Sequence, residues 1–133
     1  MTARLLAAYR RTEYEAAGAV ARVGRRGAAV DALLRRLGAR EGAFVTAWNP
    51  LSRKAPPGRN ARMMAALRAA ARRLPSAEGE GRGRNWSERH LLIAADRRRA
   101  AVLARRFRQS AIVVARAGAP ARLVLLRPTP APR

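Results

Sequence analysis

The chain has 133 residues, the size of one domain with no room for a second. It contains no cysteine, which excludes disulfides, thiolate catalysis and zinc–thiolate sites, and an apolar content of 49% excludes wholesale disorder. Against 8 acidic residues stand 29 basic ones, a formal net charge of +21 in which Lys54 is the one lysine.

Charge of this size draws phosphate polyanions. The Arg97 to Arg133 stretch carries ten arginines and no acid. The accompanying wealth of alanine, glycine and proline leaves a second origin open, a coding bias acting on the whole chain. No stretch approaches the ~18 apolar residues of a membrane helix. Arg10 and Arg11 have no apolar run behind them, and Glu13 and Glu15 follow at once. Neither a secretory leader nor an organelle presequence is therefore expected, and the cytoplasm is the expected location.

In chain order, Leu5 to Glu15 starts apolar and then brings the β-formers Tyr9, Thr12 and Tyr14, which suggest a short first strand. Gly24 to Gly27 reads as a turn. Val30, Leu33, Leu34 and Leu37 make one helical stripe, with Gly38 where a left-handed C-cap belongs and Arg35 and Arg36 at the negative end of the dipole. Ala43 to Trp48 is a short apolar run, read as a buried strand that Asn49-Pro50 ends, and Leu51 to Arg59 is loop. From Asn60 the apolar positions Met63, Leu67, Ala70 and Leu74 return to helical spacing until Pro75. Met63 and Met64 are assigned to the core. Ser76 to Asn85, polar and glycine-rich, is expected to be a mobile loop.

Trp86 to Ala95 predicts the next strand, and Asp96 the N-cap of a helix with Ala100, Leu103, Ala104 and Phe107 on one face. Ala111 to Ala115 and Arg122 to Leu126, flanking Ala117 to Pro120, predict a hairpin. The order is β-α-β-α-β-α-β-β. The expected fold is a single α+β domain over 1–127, a mixed β-sheet packed by about three helices, with a flexible proline-rich tail at 128–133. Alternation of helix and strand implies some parallel pairing, and the hairpin an antiparallel edge.

Three constellations carry chemistry. Thr46, Trp48, Asn49 and Ser52 close the central strand, and Asn60 opens the next helix, which is where α/β folds commonly bind ligands. The same residues also make ordinary sense as turn formers and caps around a packed tryptophan. Next, Trp86, Glu88 and His90 share one face of their strand. A carboxylate beside an imidazole suits general acid–base work, but among so many arginines Glu88 is expected to pair with one, which would lower its pKa. Last, Gln109 and Ser110 lie between the final helix and the hairpin. If the three strands involved are neighbours, Asn49, Glu88 and Gln109 converge.

No dinucleotide or Walker glycine pattern follows a strand, no nucleophile elbow exists, and one histidine without an acid cluster does not make a transition-metal site. No metal or cofactor is expected. Phe44-Val45-Thr46-Ala47-Trp48-Asn49-Pro50 with Ser52, then Asn60 and Leu67, Trp86-x-Glu88, and Phe107-x-Gln109 before Ala111-Ile112-Val113 resemble the DUF3293 proteins, a bacterial family of unknown function. Tyr9-x-x-Thr12-x-Tyr14 also suits it. The resemblance covers nearly the whole chain and implies a fold more than an activity. Arg89-His90 stands where that family usually has Pro-Ser, and Ser110 where it usually has Asn.

The leading expectation is a binding domain with a polar pocket near Thr46, Trp48, Asn49, Ser52, Asn60, Trp86, Glu88 and Gln109, for a small anionic ligand in view of the arginines. The alternative is an accessory RNA- or DNA-binding protein acting through Arg97, Arg98, Arg99, Arg105 and Arg106. A third reading is an enzyme with Glu88 as general base. No membrane partner is expected.

Overall fold

The computed structural model describes residues 2–49 and 53–126. The chain opens with a helix, α1 (Ala3–Arg11), not with the expected strand. Thr2 caps it by accepting the Leu5 N–H at 3.1 Å, and the Thr12 hydroxyl closes it by donating to the Ala8 carbonyl at 2.7 Å. Local capping thus overrides the β preference of Tyr9 and Thr12. The strand begins one residue later, as β1 (Glu13–Ala16), and turns back into β2 (Ala19–Ala21), a strand the sequence reading lacks. Ala17 and Gly18 both have positive φ (47° and 84°), the combination that tight hairpins require. Glu15 steadies the turn by accepting the Gly18 N–H at 2.8 Å.

Helix α2 (Ala28–Arg36) buries Val30, Leu33 and Leu34 as its periodicity demands. Gly38, at φ 74°, ends it, and the Ala39 N–H returns to the Leu34 carbonyl at 2.9 Å. Then follow β3 (Glu41–Val45), α3 (Pro57–Ala70), β4 (Ser76–Arg82), β5 (Ser87–Ile93), α4 (Arg97–Arg106), β6 (Ala111–Arg116) and β7 (Arg122–Leu125). Asp96 caps α4 through the Arg99 N–H at 2.8 Å, and β6–β7 is the expected hairpin. The proline-rich tail from 127 onward lies outside the described residues.

Ser76 to Arg82 is therefore a strand and not a loop. It runs between β1 and β5, paired along its length with β5. With Ala77 as its one apolar residue, it escapes any hydrophobic pattern. Gly79 shows why glycine stands there: a Cβ at that position would lie 1.8 Å from the Glu15 carbonyl oxygen.

The seven strands form one sheet in the order β2-β1-β4-β5-β3-β6-β7, and every ladder is antiparallel. The α+β class and single sheet stand, but the expected parallel ladders do not. Helices α2, α3 and α4 each still link strands that run the same way, as alternation requires. However, α3 carries the chain from β3 to β4 across β5, and α4 carries it from β5 to β6 across β3. An antiparallel strand thus always lies between the two. Among the described residues parallel contact is limited to a bridge between Val23 and Ala121, beyond β2 and β7, where the two margins of the curled sheet meet.

Both faces of the central strands are covered. Ala43, Val45, Leu91, Ile93, Ile112 and Val114 point to α3 and α4. Their neighbours Phe44, Leu92 and Val113 point to the other face, toward Tyr14 and the α2 stripe. Along α3 the buried positions are Asn60, Met64 and Leu67, followed by Ala71 at its C-cap, with Met63, Ala70 and, past the helix, Leu74 partly covered. No helix among the described residues is long and apolar enough to cross a membrane.

Candidate functional site

Strand β3 stops at Val45, and the next four residues turn across the end of the sheet. The Thr46 hydroxyl donates to the Arg89 carbonyl of β5 at 2.6 Å and accepts the Trp48 N–H at 3.0 Å. Asn49 sits in the left-handed region, φ 46°, which asparagine tolerates better than most residues. Its N–H donates to Asn60 Oδ1 at 2.9 Å, and its Oδ1 accepts from Asn60 Nδ2 and from the Ala55 N–H, each at 2.9 Å. With Oδ1 so engaged, the Asn49 amide nitrogen must face the other way, and it donates to Glu88 Oε1 at 2.9 Å.

Asn60 is therefore not a helix cap. The N-cap of α3 is Pro56, and Asn60, 2% exposed, projects from the first turn into the buried stripe to hold Asn49. It stands behind the site and not in its wall.

Glu88 lies on β5 with its carboxyl pushed above the usual range by burial, an effect the Asn49 hydrogen bond only partly offsets. The expected arginine partner is missing. Among the described residues the ion pairs join Glu13 to Arg22 and Arg82, Glu78 to Arg68 and Glu80 to Arg82. The adjacent Arg89 points out of the other face of β5 and is exposed. Glu88 Oε2 takes no hydrogen bond from the described residues.

His90, two residues on, is 4% exposed. Its Nε2 lies 2.6 Å from the Glu15 carbonyl, which can only accept, so Nε2 carries the proton. Burial lowers its pKa to about 4, and the imidazole is neutral at pH 7. It stacks on Tyr14 (centroids 6.1 Å apart, planes at 18°) and tilts against Phe44 at 5.0 Å. This histidine is a wall, not a proton shuttle for Glu88.

Gln109 follows Arg108, another residue at positive φ (55°), and its amide donates to the carbonyls of Trp48 at 3.3 Å and Phe107 at 3.2 Å. Because β5, β3 and β6 are neighbours, Asn49, Glu88 and Gln109 do converge. Trp86, 46% exposed, stands at the tip of the β4–β5 hairpin. Its indole lies so close to Gly83 that a Cβ there would be 2.0 Å from Nε1.

A cavity of about 220 Å³ opens among these groups. Thr46, Trp48, Asn49, Trp86, Glu88 and Gln109 all line it, as does His90. Ser52 lies outside the described residues, and the arginines at 97–99, 105 and 106 are exposed on α4 and do not line the cavity. Sequence reasoning missed the opposite wall: Tyr9 and Thr12 at the end of α1, Tyr14 on β1 and Phe44 on β3. The Tyr9-x-x-Thr12-x-Tyr14 spacing was the available signal. Burial pushes the Tyr14 phenol far above its ordinary pKa, so it stays protonated.

Among the described lining residues Glu88 carries the one ionisable carboxyl, and none is Arg or Lys. Chemically, the site offers aromatic faces for a flat ring and an anchored carboxyl that accepts N–H groups. Burial, by raising its pKa, also makes that carboxyl easier to protonate than an exposed one.

Residues 45–112 match the family model described as "Protein of unknown function (DUF3293)". The chain belongs to the DUF3293 family. The DUF3293 segment starts on the last residue of β3 and ends in β6, so it supplies the polar half of the cavity from Thr46 to Gln109. Tyr9, Thr12, Tyr14 and Phe44 precede it. Comparison with curated proteins and with solved structures yields no match.

Proposed function

We propose that this domain binds a small, planar, nitrogen-bearing ring that stacks among the cavity's aromatic side chains and donates N–H hydrogen bonds to Glu88. The observation that carries the reading is the half-buried Glu88 carboxyl, held on one oxygen by Asn49 and given no hydrogen bond on the other by the described residues, in an aromatic-walled cavity. A carboxylate removed from water without a cation partner is costly unless a donor meets it. A ligand N–H meets that need.

Among the described lining residues no cation meets the small anion expected from the net charge; the charge there is a carboxylate among aromatic rings. The volume corresponds to roughly seven waters at about 30 Å³ each, enough for one or two fused rings and below the usual range for larger ligands.

Thermal-shift screening of aromatic amines, pyrimidines and purines against the wild type and Glu88→Gln tests this. Stabilisation of the wild type that the variant loses is the expected result. Equal stabilisation of both proteins, or of neither, would overturn the reading.

A second reading concerns nucleic acid. Arg97, Arg98, Arg99, Arg105 and Arg106 are all exposed on α4, and none joins an ion pair among the described residues. Such a surface is suited to phosphates. It predicts duplex binding whose salt slope flattens when Arg97, Arg98 and Arg99 are neutralised; an unchanged slope would sink it.

A further inference from the structure

The cavity does not stand alone. A second one, about 510 Å³, is bounded by the end of α1 and the β4–β5 turn, with Arg11, Arg84 and Asn85 among its lining residues. The two share Thr12 and Trp86 as wall residues. One compartment is aromatic with a single carboxyl, and the other is flanked by two guanidinium groups, with a threonine and an indole between them.

Arg11 and Arg84 are exposed, and neither takes part in an ion pair among the described residues. The turn that presents Arg84 is closed by the Gly83 N–H donating to the Trp86 carbonyl at 3.0 Å, so Arg84 and the shared indole are held in one frame. Guanidinium groups so placed give phosphate the paired N–H donors it prefers.

The first cavity is too small for more than the ring of a ligand, so any substituent must extend beyond it. We infer that the substituent carries a phosphate, that Arg11 and Arg84 bind it, and that the ligand unit is a nucleoside monophosphate with its base on Glu88 and its phosphate beyond Trp86. This rests on the ring-binding reading above. It also returns the anion expected from composition to the molecule, in the neighbouring compartment. Free nucleotide and the phosphorylated end of a single strand share this chemistry.

Both tryptophans of the chain, Trp48 and Trp86, line the ring cavity, so their fluorescence reports its occupancy directly. The experiment titrates the full chain at near-physiological salt with nucleosides, the matching 5′-monophosphates, inorganic phosphate, and short single strands with and without a 5′-phosphate. The monophosphate is expected to bind about tenfold or more tighter than its nucleoside, the equivalent of one charge-assisted hydrogen bond. Arg11→Ala with Arg84→Ala should remove that advantage and leave nucleoside affinity unchanged, while Arg105→Ala with Arg106→Ala should not.

Equal affinity for nucleoside and monophosphate, with both lost in Glu88→Gln, overturns the phosphate subsite and leaves the ring pocket standing. Monophosphate binding that survives Glu88→Gln, or no binding of any probe, overturns both. An advantage lost equally in the two arginine double variants is general electrostatics and overturns the assignment. With the predicted pattern in hand, preference for the mononucleotide or for the phosphorylated strand identifies the source.

Discussion

Glu88 and His90 are two residues apart on one strand face, and burial moves their pKa values in opposite directions. A carboxyl raised above its unfolded value gives stability that is present at low pH and lost as pH rises through the folded value. Ionised Glu88 is thus a cost at neutrality, and Glu88→Gln, which keeps an acceptor for Asn49, should raise the melting temperature while abolishing ligand binding. A lower melting temperature would mark the residue as structural. His90 has the reverse sign. Its folded pKa, about 4, lies below the unfolded value of 6.5, so its contribution is complete above pH 6.5 and is lost as pH falls toward 4. The full effect is roughly 3 kcal/mol at about 1.4 kcal/mol per unit. As the chain has one histidine, its imidazole resonances give the midpoint without ambiguity. Titration near 6.5 would show a solvated ring. The polar half of the site was legible because asparagine, glutamate and glutamine at strand ends are conspicuous in an arginine-rich, apolar chain. The environment that gives them their properties was not. The Asn49–Asn60 pair, which frees the Asn49 amide for Glu88, depends on contacts 11 residues apart that no local pattern encodes.

Elements were legible where burial on both faces produced continuous apolar runs, as in β3, β5 and β6, or where a stripe met a cap, as in α2 and α4. Helix α1 was lost because its β-forming residues outweighed the Thr2 cap, and β2 because three residues carry no period. Strand β4 was lost because it is defined by its neighbours: glycine is there for close approach to β1, and glutamates face outward. Gly79→Ala should therefore cost about 3 kcal/mol or more, at or beyond the upper end of ordinary overpacking, read from the urea midpoint. Gly58 in α3 is the control. A Cβ there meets only the Arg62 guanidinium at 3.6 Å, so Gly58→Ala should gain roughly 0.5–1 kcal/mol from helix propensity. Equal effects at the two positions would refute the close-approach account.

Over the whole molecule seven of the eight acids are already committed. Glu13, Glu78 and Glu80 pair with arginines, Glu15 and Asp31 accept backbone N–H groups at turns, Asp96 caps α4 and Glu88 meets Asn49. Arg22, Arg68 and Arg82 are the arginines in ion pairs among the described residues, so most of the positive charge repels itself. Added salt, with a screening length of about 8 Å near physiological strength, should raise the melting temperature. A fall would mean that the ion pairs outweigh the repulsion. Direction along the sheet could be inferred from helix–strand alternation, but adjacency could not, since each crossover skips over at least one strand. Finally, the meeting of the sheet's margins bears on how copies of this chain behave together. The Gly24 N–H donates to the Ala121 carbonyl, and the Ala121 N–H to that of Arg25, so peptide groups beside both outermost strands are occupied from within. Those strands are only three and four residues long. A second molecule arriving edge-on finds little template on which to add a strand, and growth of the sheet into a fibril is hindered at both ends.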